Sequence, residues 1–233
     1  MNDLEVAEER DTVTAPPGET TEGTTLYIDN DRIPDWWISH VGNDERTEIA
    51  VDTRIVGGPF GQFVAASDRR TLETDLLSGF NSTERRVVDV DVPVVGEREL
   101  HVEETRASWG GTDANRTGID YHATVDNPTP IDATISRIGY TVRMNGVVVG
   151  EGDLEDEHRL EAETSTALDL TATIDHGRLP AWWVTHVEND ERTEFRVEFE
   201  ADVALPTGTV TVSLEELEHA ETVETDVRGG EKG

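Results

Sequence analysis

Two histidines have the surroundings to do chemistry. His40 and His186 each open the run His-Val-x-Asn-Asp-Glu-Arg, ending at Arg46 and Arg192. On a helix, His40 with Asp44 and His186 with Asp190 fall at i, i+4, a spacing that can present two ligands to one metal ion. Metal sites need three or four protein ligands, and each run offers only part of that set. The competing reading is structural. A histidine in a last helical turn suits the helix's negative end, and Asn-Asp closes the turn before the next strand. That reading is preferred, and no metal is expected. Beside the histidines lie Trp36-Trp37 and Trp182-Trp183. Adjacent helix residues diverge by about 100°, so both members of a pair cannot enter the same core pocket. Trp183 is expected in the core on a stripe with Leu179 and Val187. Trp36 and Trp182, with His40 and His186, are then the candidates for an interaction surface, against the alternative that the tryptophans simply pack.

Other chemistries lack their residues. Acidic stretches such as Asp153 to Glu157 do not match a calcium-binding loop with its glycine and final glutamate, and read as solvated surface. There is no Gly-x-Ser-x-Gly elbow, phosphate-binding loop or His-Glu-x-x-His. With no cysteine in 233 residues, disulfides, thiolate metal sites and thiol catalysis are excluded. No cofactor and no enzymatic activity are expected.

The formal charge is −32, and of the 19 basic residues only Lys232 is lysine. Such self-repulsion destabilises a compact state at ordinary ionic strength, but roughly molar salt cuts the Debye length to about 3 Å and screens it. Arginine pairs with carboxylates through a rigid fork, whereas lysine adds a flexible apolar stem. The balance resembles proteins of salt-loving archaea, with hydrated cations held non-specifically. A basic stripe to neutralise phosphates is missing, which argues against nucleic acid. No apolar run approaches the ~18 residues of a membrane span, and residues 1–20 lack a signal peptide's pattern. The chain as given reads as soluble and cytoplasmic. Low hydrophobicity with high charge can also signal disorder, but the periodicity below points to folded elements.

The elements that position these residues come in a repeat. Residues 28–51 and 174–197 align without a gap at an offset of 146, with more than half the positions identical. Upstream of the second copy Leu168, Leu170, Ala172 and Ile174 alternate with polar residues, as in a half-buried strand. Pro180 suits the first turn of a short helix. Phe195, Val197, Phe199, Ala201 and Val203 alternate in a second strand, and Val210 to Leu214 suggest another. Further strands are expected at 100–109, over Ile119 to Val125, and on both sides of the Asn145-Gly146 hairpin turn. About seven strands and one helix make an antiparallel two-sheet sandwich. The start of the chain, Met1 to Val6, resembles Met144 to Val149. On that alignment the first copy begins inside its hairpin, and an upstream portion, with an export signal or membrane anchor, is an expectation. The organisation expected is a partial sandwich over 1–80, a connector over 81–99, a complete sandwich over 100–216 and an acidic mobile tail over 217–233.

The second copy resembles the late embryogenesis abundant type 2 domain, also called the water stress and hypersensitive response domain. The likeness rests on Tyr121 to Pro130, where Asp126, Asn127, Pro128 and Pro130 match the family's strand followed by Asn-Pro-Asn-Pro, and on the hairpin across Asn145 and Gly146. Thr129 departs from the family's second asparagine. The resemblance implies a sandwich of the immunoglobulin or fibronectin-III kind, so that with the repeat the fold expected is mainly β, as tandem sandwiches each with one short helix, the first lacking its front strands. It also implies a protective role in desiccation or osmotic stress without catalytic residues, and leaves the partner unknown. Stressed proteins or a membrane surface are candidates. The alternative function is a surface-tethered adhesive or ligand-binding module.

Overall fold

In a computed structural model the protein is described over residues 1–10, 12, 27–57, 62–92, 96–154, 156–205, 208–214 and 218–227. The chain divides into two units, Met1–Glu73 and Thr74–Gly233. It is mainly β. No helix among the described residues is long and apolar enough to cross a membrane.

In the first unit, the Asp29 carboxylate accepts from the Asp31 amide at 3.0 Å and caps a 3₁₀ turn over Asn30–Arg32. The turn runs into helix α1 (Ile33–Gly42), with Pro34 in the first turn, where a missing N–H costs nothing. Ile33, Trp36, Trp37, His40 and Val41 form its buried face. Asp44 (φ 54°) and Glu45 (φ 57°) then take left-handed conformations in succession, which reverses the chain. Strand β1 (Arg46–Gly57) follows and pairs antiparallel with β2 (Gln62–Glu73), from Arg46 opposite Glu73 to Gly57 opposite Gln62. Asn2 braces the start of β1. Its side chain donates to the Arg46 carbonyl (3.1 Å) and accepts from the Glu48 amide (2.7 Å).

The second unit is a two-sheet sandwich. One sheet has the order β3 (Arg86–Val92), β4 (Gly96–Thr112), β5 (Arg116–Asn127), β9 (Thr164–Asp175). The other runs β11 (Gly208–Ser213), β10 (Arg192–Leu205), β6 (Ala133–Met144), β7 (Val147–Leu154). Strand β8 (His158–Leu160) adds to β6 and β12 (His219–Glu224) to β10. Alternation gives each strand one inward face: Ile119, Tyr121, Ala123 and Val125 from β5 meet Phe195, Val197, Phe199 and Ala201 from β10. The Tyr121 and Phe199 rings lie 5.2 Å apart. The sheets approach closely at Gly150, where a Cβ would stand 2.0 Å from the Thr173 carbonyl oxygen, so only glycine fits. Helix α2 (Leu179–Glu188) repeats α1 in detail, down to the cap from Asp175 to the Gly177 amide (2.9 Å) and the left-handed pair Asp190 (54°) and Glu191 (58°).

Three expectations are corrected. The segment 81–99 is no connector: it contains β3 and the start of β4, and the unit boundary lies after Glu73 rather than at 80. Just before it, Phe80 packs edge-on against Tyr121 and Phe195, both at 6.2 Å, inside the second core. Within the segment expected as a mobile tail, His219–Glu224 form β12, paired with β10 from Arg192 opposite Glu224 to Val197 opposite His219, while residues 217 and 228–233 lie outside the described residues. Finally, the described residues of the second unit form ten strands rather than about seven, since β3 lies in the stretch expected as a connector and β8 and β12 show little apolar alternation.

Candidate functional site

The repeated helix and the strand after it build the same polar node twice. In the first unit Trp36 Nε1 donates to Thr47 Oγ1 at 3.0 Å, and His40 Nδ1 bonds the same hydroxyl at 2.8 Å. In the second, Trp182 Nε1 donates to Thr193 Oγ1 at 3.0 Å and His186 Nδ1 bonds it at 2.8 Å. Tryptophan and histidine at i, i+4 share a helix face, and the tight reversal returns the chain so that the second residue of the strand points its hydroxyl between them. The ring centres of Trp36 and His40 lie 5.3 Å apart and stacked, and those of Trp182 and His186 lie 5.7 Å apart. Thr47 and Thr193 were not candidates in the sequence, though both lie within the repeat and are identical in it.

In the second unit the network continues. His186 Nε2 bonds Thr225 Oγ1 at 2.9 Å, and that hydroxyl donates to Glu191 Oε2 at 3.4 Å. The Val227 amide also donates to Glu191 Oε2. One end of the chain of bonds is an indole, which only donates, and the other is a carboxylate, which only accepts. The order of protons follows: Trp182 to Thr193, Thr193 to His186 Nδ1, His186 Nε2 to Thr225, Thr225 to Glu191. The left-handed turn carries Glu191 inward to 4% exposure, where it meets the residues just after β12. A segment that looked like tail therefore seals this network.

This geometry corrects the reading of the histidines and tryptophans as surface. Trp36, Trp182, His40 and His186 are 3%, 4%, 2% and 2% exposed. The buried set Leu179, Trp182, Trp183, His186 runs i, i+3, i+4, i+7, a stripe wide enough to take both tryptophans, so neither is left at a rim. The helix-end reading of His40 is corrected too. Burial lowers its pKa to about 4, so at neutral pH the ring is uncharged and cannot act as a cation at the helix terminus. Nδ1 of each histidine is taken by threonine, and Asp44 and Asp190 sit in the reversal beyond the helix, not on its face.

The residues of the Asp126 to Pro130 stretch also do structural work. Asn127, fully buried, donates to the Ile131 carbonyl (2.9 Å) and the Leu160 carbonyl (3.1 Å), and accepts from the Thr129 amide (3.1 Å) and hydroxyl (2.7 Å). It ties the end of β5 to β8. Threonine in place of asparagine at 129 is therefore used, not merely tolerated. Pro128 and Pro130 are exposed in the turn. Asn145 (φ 49°) and Gly146 (φ 76°) make the tight hairpin between β6 and β7. The Asn145 side chain bonds the Arg192 carbonyl (2.9 Å) and Glu194 amide (2.8 Å), as Asn2 does in the first unit.

Between the sheets lies a small apolar cavity of about 50 Å³, with no polar constellation for catalysis. Polar chemistry gathers instead on the outer face of β4, β5 and β9. A groove there is lined by Arg106, Ser108, Asp120, His122 and Asp169, with His122 bonded to Asp169 at 2.7 Å and Thr171 to Asp120 at 2.8 Å. Elsewhere Arg178, in the 3₁₀ turn after β9, contacts Glu151 (2.7 Å), and Arg137 bridges carboxylates across strands, contacting Asp153 (2.6 Å) and Glu200 (2.8 Å). Those two partners raise the Arg137 pKa further.

Residues 122–216 match the family described as late embryogenesis abundant protein. No curated protein matches the chain. Among solved structures, a protein from Archaeoglobus fulgidus is 26% identical, with a TM-score of 0.51, covering 54% of this chain and 98% of that one. A solution structure from Arabidopsis thaliana is 15% identical (TM-score 0.40; 61% and 83% covered). One of a late embryogenesis abundant protein is 13% identical (TM-score 0.36; 61% and 72% covered). On the family match alone, residues 122–216, within the sandwich of the second unit, are similar to the late embryogenesis abundant type 2 family.

Proposed function

We propose that this protein is a non-enzymatic water-stress protein of the late embryogenesis abundant type 2 kind, acting at high salt and built from two related copies of the water stress and hypersensitive response domain. The family match over 122–216 carries the reading. Three further observations support it. The polar residues the sequence singles out are consumed in holding the fold, as in the Trp182–Thr193–His186 node and the Asn127 brace. The formal charge of −32, with arginine bridging carboxylates across strands, suits a surface that keeps water and cations in concentrated salt. The Asn2 and Asn145 braces and the two Trp–Thr–His nodes make the same bonds, which supports two copies of one ancestral unit.

The working surface in this reading is acidic and hydrated, and shields neighbouring proteins during water loss. The adhesive alternative loses its proposed contact, because Trp36 and Trp182 are interior. The test is to dry a dehydration-sensitive reporter enzyme in concentrated KCl with this protein, or with an equal mass of a neutral globular protein. Recovered reporter activity should be higher with this protein. Equal recovery in the two samples would leave the stress reading without support.

A further inference from the structure

We propose that His101, Glu103 and Asp126 form a binding site for a divalent transition-metal ion of the zinc type on the outer face of the β3-β4-β5-β9 sheet. His101 on β4 lies directly opposite Asp126 on β5. The ladder shifts register between Val102 and Glu104, leaving Glu103 as the extra residue of a bulge that aims its carboxylate beside the histidine. One ligand atom from each of the three residues falls within 4.8 Å of the others.

Two details point to a ligand rather than an ordinary charged surface. His101 Nδ1 is shut off from solvent and has no hydrogen-bond partner among the described residues, which is costly for a ring nitrogen. It stands 3.6 Å from Asp126 Oδ2, too far for a hydrogen bond. With metal–ligand bonds of about 2.0–2.1 Å, two atoms at that separation subtend roughly 120° at a metal between them. A metal would thus supply the partner that Nδ1 lacks.

The surroundings match what supports metal ligands. Asp126 accepts from Ser165 Oγ at 3.1 Å through its other oxygen, Arg85 holds Glu103 at 2.8 Å, and Glu99 stands 3.7 Å from His101 Nε2, on the side where an outer carboxylate orients a ligating ring. One nitrogen and two carboxylates, with a coordination position open to water, suit zinc or cobalt. Calcium and magnesium prefer all-oxygen shells of six or more ligands, so they should not compete. The site lies outside the repeated nodes and does not depend on the stress reading.

The test is a titration of the full chain with Co²⁺, in concentrated KCl to screen diffuse cation binding, read by visible absorption and by displacement with Zn²⁺. One equivalent should bind, survive excess Mg²⁺, and raise the unfolding temperature. His101→Gln and Asp126→Asn should each weaken binding by at least about tenfold, while His122→Gln, which alters the nearby His122–Asp169 pair, should not. Circular dichroism of the metal-free variants checks that they fold. A misfolded His101→Gln leaves Asp126→Asn and Glu103→Gln to decide. No saturable binding, binding of many equivalents displaced by Mg²⁺, or equal binding by the His101 and His122 variants would overturn the proposal.

Discussion

Replacing Thr193 by valine keeps the side chain's shape and removes its hydroxyl. That hydroxyl serves two buried groups, Trp182 Nε1 at 3.0 Å and His186 Nδ1 at 2.8 Å, and Thr193 itself is 3% exposed. Each buried polar group left without a partner costs about 1–3 kcal/mol, and the added methyl returns about 1 kcal/mol of apolar burial. The expected net loss is about 1–5 kcal/mol, centred near 3. Thr193→Ser keeps the hydroxyl and loses only a methyl, for about 1 kcal/mol. The order of the two variants is the discriminating feature, because in an ordinary apolar pocket valine is the better tolerated of the pair. Urea unfolding in concentrated KCl, followed by tryptophan fluorescence and circular dichroism, measures both. A valine variant as stable as the serine variant, or more so, would refute the claim that this hydroxyl organises the node.

Other predictions concern the first unit, the turn after β5 and the C-terminal strand. Burial lowers the His40 pKa from 6.5 to about 4. The unfolded chain takes up a proton as pH falls through 6.5, while the folded one resists until about 4. The contribution to stability is thus full above 6.5 and lost between 6.5 and 4, by about 3 kcal/mol in all. NMR titration of the His40 ring should give a midpoint near 4, and one near 6.5 would contradict the burial argument. Asn127→Ala should cost about 2–4 kcal/mol by stranding its backbone partners, whereas Pro128→Ala, in the exposed turn, should cost under about 1 kcal/mol; both are read from denaturation midpoints. Removal of residues 218–233 should lower the unfolding temperature, since it strips β12 from β10 and exposes Glu191 and His186. An unchanged temperature would mean that this segment is not part of the folded unit.

The sequence by itself determined the repeat, the helix between strands, the turn at Asn145-Gly146 and the two-sheet class of the second unit. These follow from local periodicity and turn chemistry, which act over a few residues. One further signal was legible but passed over. Thr222-Val223-Glu224-Thr225-Asp226-Val227 repeats Thr71-Leu72-Glu73-Thr74-Asp75-Leu76 at an offset of 151, and in the folded chain Glu224 and Glu73 pair with the equivalent Arg192 and Arg46. Strand β3 was also legible, in Val88, Val90 and Val92 alternating with Asp89 and Asp91. Tertiary structure alone decided which polar residues meet. Neighbouring tryptophans read as divergent, yet both are buried, because the stripe Leu179, Trp182, Trp183 and His186 is wide enough to take both. His101 and Asp126 are 25 positions apart, and only the pairing of β4 with β5, shifted by the Glu103 bulge, brings them together. Periodicity shows which face of a strand a residue takes; strand register decides what stands opposite, and register is a property of the assembled sheet.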